Sequence, residues 1–130
     1  RSLGSFAVAA PKSLPTAKAA ASDVVVGGAA DHTFLVRFSD NTGIRVGDLD
    51  SGDLFVAGPN GTRMAAALLS IDSPTNGTPR NATYRIVAPG GAWDASDNGQ
   101  YEIWLKADSV RDIDGNYIPP RLLRVFNVSV

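Results

Sequence analysis

Between residues 32 and 130 the chain repeatedly writes one apolar residue, one polar, one apolar, and then breaks. His32 to Ser39 places Phe34, Val36 and Phe38 on one face and Leu35 and Arg37 on the other, and Asp40-Asn41-Thr42-Gly43 stops the run. A period of two is the mark of a β-strand with one face in a core. Thr83 to Ala88 sets Tyr84, Ile86 and Ala88 against Arg85 and Val87, before Pro89-Gly90-Gly91. Tyr101 to Ala107 predicts Tyr101, Ile103, Leu105 and Ala107 inward, with Glu102, Trp104 and Lys106 outward. Arg124 to Val130 aligns Phe126, Val128 and Val130. Leu54 to Ala57 is a shorter strand, closed by Gly58-Pro59-Asn60-Gly61, where Asn and Gly accept the positive φ of a tight hairpin. Met64 to Ile71 is rich in alanine, which favours helix, but it is too short between breakers to stand alone and reads as a strand. Only Val46 to Leu54 has room for a helical turn.

Roughly seven short strands separated by turn signals, with no convincing long helix, predict an all-β fold: an antiparallel two-sheet sandwich. Its expected core contains Phe34, Val36, Phe38, Tyr84, Ile86, Tyr101, Ile103, Leu105, Phe126 and Val128. One local motif narrows the type. Asp97-Asn98-Gly99-Gln100-Tyr101 stands immediately before a strand, the arrangement of an immunoglobulin-type tyrosine corner, in which the ring enters the core and the hydroxyl bonds upstream backbone. Ile103 takes the position that antibody domains give to cysteine.

The two ends of the chain resemble each other. Arg1 to Ala10 (RSLGSFAVAA) aligns without gaps on Arg121 to Val130 (RLLRVFNVSV), matching at Arg1, Leu3, Phe6 and Val8, an offset of 120 residues. Residues 1-10 therefore read as an extra strand with the character of the module's last strand, residues 11-16 as a linker around Pro11 and Pro15, and residues 17-130 as one immunoglobulin-like domain. The chain lacks an initiator Met and an apolar signal segment, so it reads as a processed chain or an excised piece.

The stretches HTFLVRFSDNTGI, GDLDSGDLFVAGPNG, TYRIVAPGGAWDASDNGQYEIWLKADSVRDIDGN and the closing FNV resemble the immunoglobulin-like, cadherin-like repeats of large bacterial secreted and cell-surface proteins. The run GGAWDASDNGQY is the most specific part. The resemblance covers about Ala17 to Val130 and implies a non-catalytic spacer or adhesive module outside the cell, often in tandem. It implies class and compartment, since individual repeats serve different hosts.

Composition sharpens what is excluded. The 12 Lys and Arg against 13 Asp and Glu leave a net charge of -1, so no bulk attraction to nucleic acid is expected. The absence of cysteine excludes disulfides, thiolate zinc sites and cysteine nucleophiles. No apolar run approaches the roughly 20 residues of a membrane-spanning helix, so no membrane insertion is expected. Twelve of the 13 acids are Asp, and Gly and Pro are frequent, a bias toward turns because short Asp side chains bond nearby backbone.

Enzymatic chemistry is not expected: His32 is the single histidine, and no nucleophile elbow, Walker loop or H-E-x-x-H motif is present. The pairs Asp48 and Asp50, and Asp94 and Asp97, read as turn caps rather than acid-base dyads. Calcium is the one cofactor with a sequence rationale. Asp112-x-Asp114-Gly115-Asn116 supplies oxygens at alternate positions around a Gly, as a hard cation requires, although the downstream Glu of a full EF-hand is missing and the segment also reads as a plain turn. Asp40, Asn41 and the Asp48, Asp50, Asp53 group are further candidate ligands. Trp93, Trp104 and Tyr117 are aromatics that could stack on a sugar, with cover by protein as the competing reading. The sequons at Asn60, Asn76, Asn81 and Asn127 arise often by chance in Asn-rich turns, and a bacterial source would make them uninformative.

Function is therefore expected to be structural. The chain reads as a module of an extracellular surface protein or fibre whose partners are neighbouring copies or repeats, engaged head to tail through Leu3, Phe6 and Val8. A calcium-assisted carbohydrate-binding or adhesive module, with a glycan as partner, is the alternative.

Overall fold

A computed structural model describes residues 14–130, and the matching N-terminal stretch with Leu3, Phe6 and Val8 lies outside the described residues. The described residues form eight strands: β1 (Thr16–Ala20), β2 (Asp31–Ser39), β3 (Leu54–Ala57), β4 (Arg63–Ala65), β5 (Ala67–Ile71), β6 (Arg80–Val87), β7 (Gly99–Leu105) and β8 (Arg121–Val128). They form two four-stranded sheets, β1-β2-β6-β5 and β4-β3-β7-β8, and every ladder within them is antiparallel. The fold is an all-β sandwich.

Its core is the alternation read from the sequence. Phe34, Val36 and Phe38 of β2 and Ala82, Tyr84 and Ile86 of β6 face Leu54 and Val56 of β3, Tyr101, Ile103 and Leu105 of β7, and Phe126 and Val128 of β8, all buried. Register keeps the inner residues opposite one another: Phe34 stands across from Tyr84, and Tyr101 from Phe126. Stacked rings follow at both places, with centroids 6.0 Å and 5.4 Å apart.

Three expectations are corrected, and the helical turn is found where there was room for it. Met64 to Ile71 is not one strand: β4 pairs with β3 in one sheet and β5 with β6 in the other, and the fully buried Ala66 marks the crossing. A small side chain is needed there because the chain passes through the packed edge of the sandwich. Ala107 is exposed, since β7 ends at Leu105. Thr16, expected in the linker, already pairs with Ser39. The room for a helical turn after Val46 is filled by a single 3-10 turn, Val46–Asp48.

The segment Asp97 to Tyr101 is built as a corner. Asp94 and Asp97 cap one short turn reciprocally: the Asp94 carboxylate accepts the Ser96 N–H at 2.9 Å, and Asp97 Oδ2 accepts the Asp94 N–H at 3.0 Å. Gly99 follows at φ +145, a conformation that L side chains rarely adopt. The chain then enters β7, and the Tyr101 hydroxyl donates to the Asp97 carbonyl at 2.6 Å.

Candidate cation site at one end of the sandwich

Three connections meet at one end: residues 40–53 between β2 and β3, 72–79 between β5 and β6, and 106–120 between β7 and β8. Ile44, fully buried, plugs the core here and pins all three. Its N–H donates to the Gly77 carbonyl at 2.7 Å, Gly77 returns a bond at 3.3 Å, and Ile44 also bridges to Asp112. Ile113 N–H to the Gly43 carbonyl (3.0 Å) and Arg45 N–H to the Arg111 carbonyl (3.0 Å) bind the first loop to the last.

The Asp112 carboxylate organises the last loop. Completely buried, it accepts the N–H of Asp114 at 3.0 Å and of Asn116 at 2.8 Å on Oδ1, and the Asn116 side-chain amide at 3.0 Å on Oδ2. Gly115, at φ +91, makes the bend. This is the Asx-turn chemistry of a short acid within loop backbone. Asn116, read as a ligand from its spacing, thus points its amide at Asp112.

The third member of the cluster comes from 72 residues away. Oxygens of Asp40, Asp112 and Asp114 lie within 4.8 Å of one another. Asp40 Oδ2 accepts the N–H groups of Thr42 (3.1 Å) and Gly43 (3.2 Å); burial pushes the Asp40 carboxyl up, but the Thr42 hydroxyl together with these backbone donors holds it below its ordinary range. The Thr42 hydroxyl lies 2.7 Å from Asp40 Oδ2 and 2.9 Å from Asp114 Oδ2. A hydroxyl has one proton, so it satisfies one of the two carboxylates at a time. Asp40 Oδ1 is buried with no partner. Among the described residues the two ion pairs, Arg85–Asp31 at 2.7 Å and Arg111–Asp48 at 3.0 Å, lie elsewhere, so no basic side chain forms an ion pair with the cluster, although the Arg45 guanidinium donates to the Ile113 carbonyl beside it at 3.3 Å.

The Asp48, Asp50 and Asp53 group is not gathered around one point. Asp48 forms a two-pronged pair with the Arg111 guanidinium and also accepts its backbone N–H at 3.0 Å. That carboxylate raises the Arg111 pKa. Asp50 is an exposed turn acceptor for Gly52 N–H at 2.7 Å, and Asp53 is buried between the sheets. Sequence reading of these three missed that one of them enters the core. The signal available was the short spacing from Asp53 to the apolar strand Leu54–Ala57.

The aromatic candidates divide in the same way. Trp93 is 1% exposed, packed edge-on against Tyr101 with centroids 5.7 Å apart, and offers no face to a ligand. Trp104 is half-buried on the outer face of β7 and parallels Phe55 at 6.4 Å, while the Arg63 guanidinium covers Phe55 at 3.7 Å. Tyr117 is exposed, with the Arg111 guanidinium 5.4 Å over its ring. His32 is half-buried, its Nε2 2.9 Å from the Ser22 carbonyl and its ring 5.3 Å from Phe126.

The described residues enclose no pocket, and no helix among them is long and apolar enough to cross a membrane. No protein-family model, curated protein or solved structure matches the chain.

Proposed function

We propose that this chain is a non-catalytic, immunoglobulin-like structural module of an extracellular surface protein or fibre, acting through end-to-end contacts. The observation that carries this reading is where the chain enters and leaves the sandwich. Thr16 pairs with Ser39, beside the Asp40 loop, so β1 enters at the three-loop end; β8 runs in the same direction, from Arg121 at that end to Val128, across from Gly99, at the other end. A module threaded from end to end transmits load along its long axis and joins its neighbours in a line. The strand order, two four-stranded antiparallel sheets with β1 beside β2 and β8 beside β7, and the Tyr101–Asp97 corner support the immunoglobulin-like reading.

Residues 1-10 serve as the contact segment in this reading. β8 is an edge strand, covered among the described residues only near its end, where Val24 N–H donates to the Asn127 carbonyl at 2.9 Å and Ser129 N–H to the Val24 carbonyl at 2.8 Å. The remaining edge offers backbone groups to an added strand, the chemistry of β-augmentation. Head-to-tail addition between identical copies builds open filaments. The full chain is expected to associate in a concentration-dependent way, and a chain starting at residue 11 to remain a folded monomer, as measured by sedimentation velocity and circular dichroism. Identical sedimentation of both forms would exclude the contact role of residues 1-10.

The Asp40, Asp112 and Asp114 cluster supports a calcium-stiffened version of the same module. The residues fit a hard cation: three carboxylates, a hydroxyl shared between two of them, and the buried, unpartnered Asp40 Oδ1. A bound ion would neutralise the carboxylates and tie the β2–β3 loop to the β7–β8 loop at the entry end. Calcium at about ten times its dissociation constant is expected to raise the melting temperature by roughly 4 °C. Asp40→Ala and Asp114→Ala should each remove that rise. Equal melting in calcium and in chelator would leave the loop as a hydrogen-bonded turn.

A further inference from the structure

We infer that Asp53 is a pH-responsive tie between the two sheets: the folded module holds its carboxyl neutral, and ionisation loosens the 46–53 loop from β6. This inference is independent of the end-to-end and calcium readings, because it concerns a different loop segment and different groups.

The geometry makes the case. Asp53 directly precedes β3 and is 1% exposed, while its backbone is held by the Lys106 N–H, which donates to its carbonyl at 2.9 Å. The side chain turns inward. Oδ2 accepts the Tyr84 hydroxyl from β6 at 2.8 Å and the Asp50 N–H at 2.8 Å, so one oxygen joins the β1-β2-β6-β5 sheet to the loop that leads into β3 of the other sheet. Oδ1 is buried and has no partner. A carboxylate in this position keeps a full charge in low dielectric with half of its acceptor sites empty, which is strongly unfavourable. A carboxylic acid keeps the Tyr84 and Asp50 bonds on one oxygen and carries the proton on the other.

The surrounding groups favour the acid. Tyr84 from β6 and Asp50 from the same loop are the titratable side chains acting on Asp53. Asp50 is exposed, and its nearby charge adds to burial in favouring the neutral form of Asp53. Asp48, the next acid of the loop, is already paired with Arg111. On the adjoining end of β7, Lys106 contributes its backbone to Asp53 while its side chain is exposed. Tyr84 is buried and so deeply shielded that burial, with the Asp53 and Asp50 charges adding to it, pushes its hydroxyl far above the ordinary phenol range; it acts as a donor throughout.

Burial first, then the Asp50 charge, pushes Asp53 from 3.8 up to about 7, against the two donated bonds that favour the charged form. A pKa raised on folding means that the folded state binds the extra proton between about pH 4 and 7. The stabilisation is therefore complete below the unfolded value and is lost as pH rises through the folded one. Asp40, Asp72 and Asp94, whose pKa values are lowered by hydrogen bonds, act with the opposite sign and only below their unfolded value of 3.8, so the two windows do not overlap.

The test uses the full chain. Carbon-detected NMR should show the Asp53 carboxyl titrating between pH 6 and 8, and the unfolding constant from denaturant melts should rise about a hundred-fold between pH 5 and pH 8. Asp53→Asn should reduce that rise to about three-fold or less, while Tyr84→Phe should keep it, because the carboxyl stays buried. Should Asp53→Asn fail to fold, the NMR titration of the unaltered chain decides. An Asp53 carboxyl that titrates below pH 5, or an Asp53→Asn protein with the unaltered pH slope, would overturn the inference.

Discussion

Replacing Trp93 by alanine is expected to cost about 3–5 kcal/mol, the range for emptying a buried aromatic site. Trp93 is 1% exposed, within the core of the sandwich. Its ring packs edge-on against Tyr101, and its indole N–H donates to the Asp31 carbonyl at 3.1 Å, at the start of β2. Its backbone also clasps the segment before β2: its N–H donates to the Ala29 carbonyl at 2.9 Å, and its carbonyl accepts the Gly28 N–H at 2.8 Å. Alanine keeps those backbone bonds but leaves a cavity and an unpaired Asp31 carbonyl. Domains of this size hold only about 5–15 kcal/mol in total, so the variant should unfold at a much lower denaturant concentration. Trp93→Phe fills most of the space and should lose about 1–2 kcal/mol through the missing donor. A Trp93→Ala midpoint within experimental error of the parent would mean that the ring is not a core element.

Gly58→Ala is expected to cost about 1–3 kcal/mol by overpacking, an unusual penalty for the smallest possible side chain. Gly58 has an ordinary backbone, φ -115, so the reason is space. A Cβ there would stand 2.5 Å from Tyr101 Cε2 and 2.8 Å from Cδ2. The ring has no room to retreat. Phe126 stacks on one side at 5.4 Å, Trp93 meets it edge-on at 5.7 Å, and the hydroxyl is tethered to Asp97 at 2.6 Å. Gly47→Ala is the control, because a Cβ at Gly47 meets nothing within 4 Å and its backbone is not left-handed. That variant should match the parent or gain a few tenths of a kcal/mol from a less flexible unfolded chain, about the lower end for such substitutions. Equal denaturation midpoints for the two alanine variants would refute the close-packing argument at Gly58.

Both predictions concern the same aromatic group, and it shows how far local pattern reaches. The inward positions of β2, β6, β7 and β8 were legible because each strand has one buried and one solvated face, and antiparallel pairing repeats that contrast at every second residue. Tyr101 and its corner were legible because Asp97, Gly99 and Tyr101 are neighbours in sequence and their interactions span four residues. β1 was not. In Thr16-Ala17-Lys18-Ala19-Ala20 the buried residues are Ala17 and Ala19, and alanine beside threonine gives too little contrast to mark a face. The division of Met64 to Ile71 between two sheets was equally silent, since Ala66 and its neighbours carry the same residue type on both sides of the crossing.

The acids of the loop Val46 to Asp53 draw the boundary most sharply. By itself the sequence determined that these residues lie in turns, because Asp and Gly at close spacing compete with regular structure through local backbone bonds. It did not determine which acid does what. Asp48 is matched by Arg111, 63 residues away; Asp53 meets Tyr84 across 31 residues and is buried; Asp50 stays in water. Asp40 likewise joins Asp114 through Thr42, which is 72 residues from it along the chain. Period two depends only on which side of a strand faces the core, a property each short segment carries in its own side chains. The fate of a carboxylate depends on which cation, donor or apolar wall lies opposite, and that is decided only when the two sheets close and bring their loops to one end.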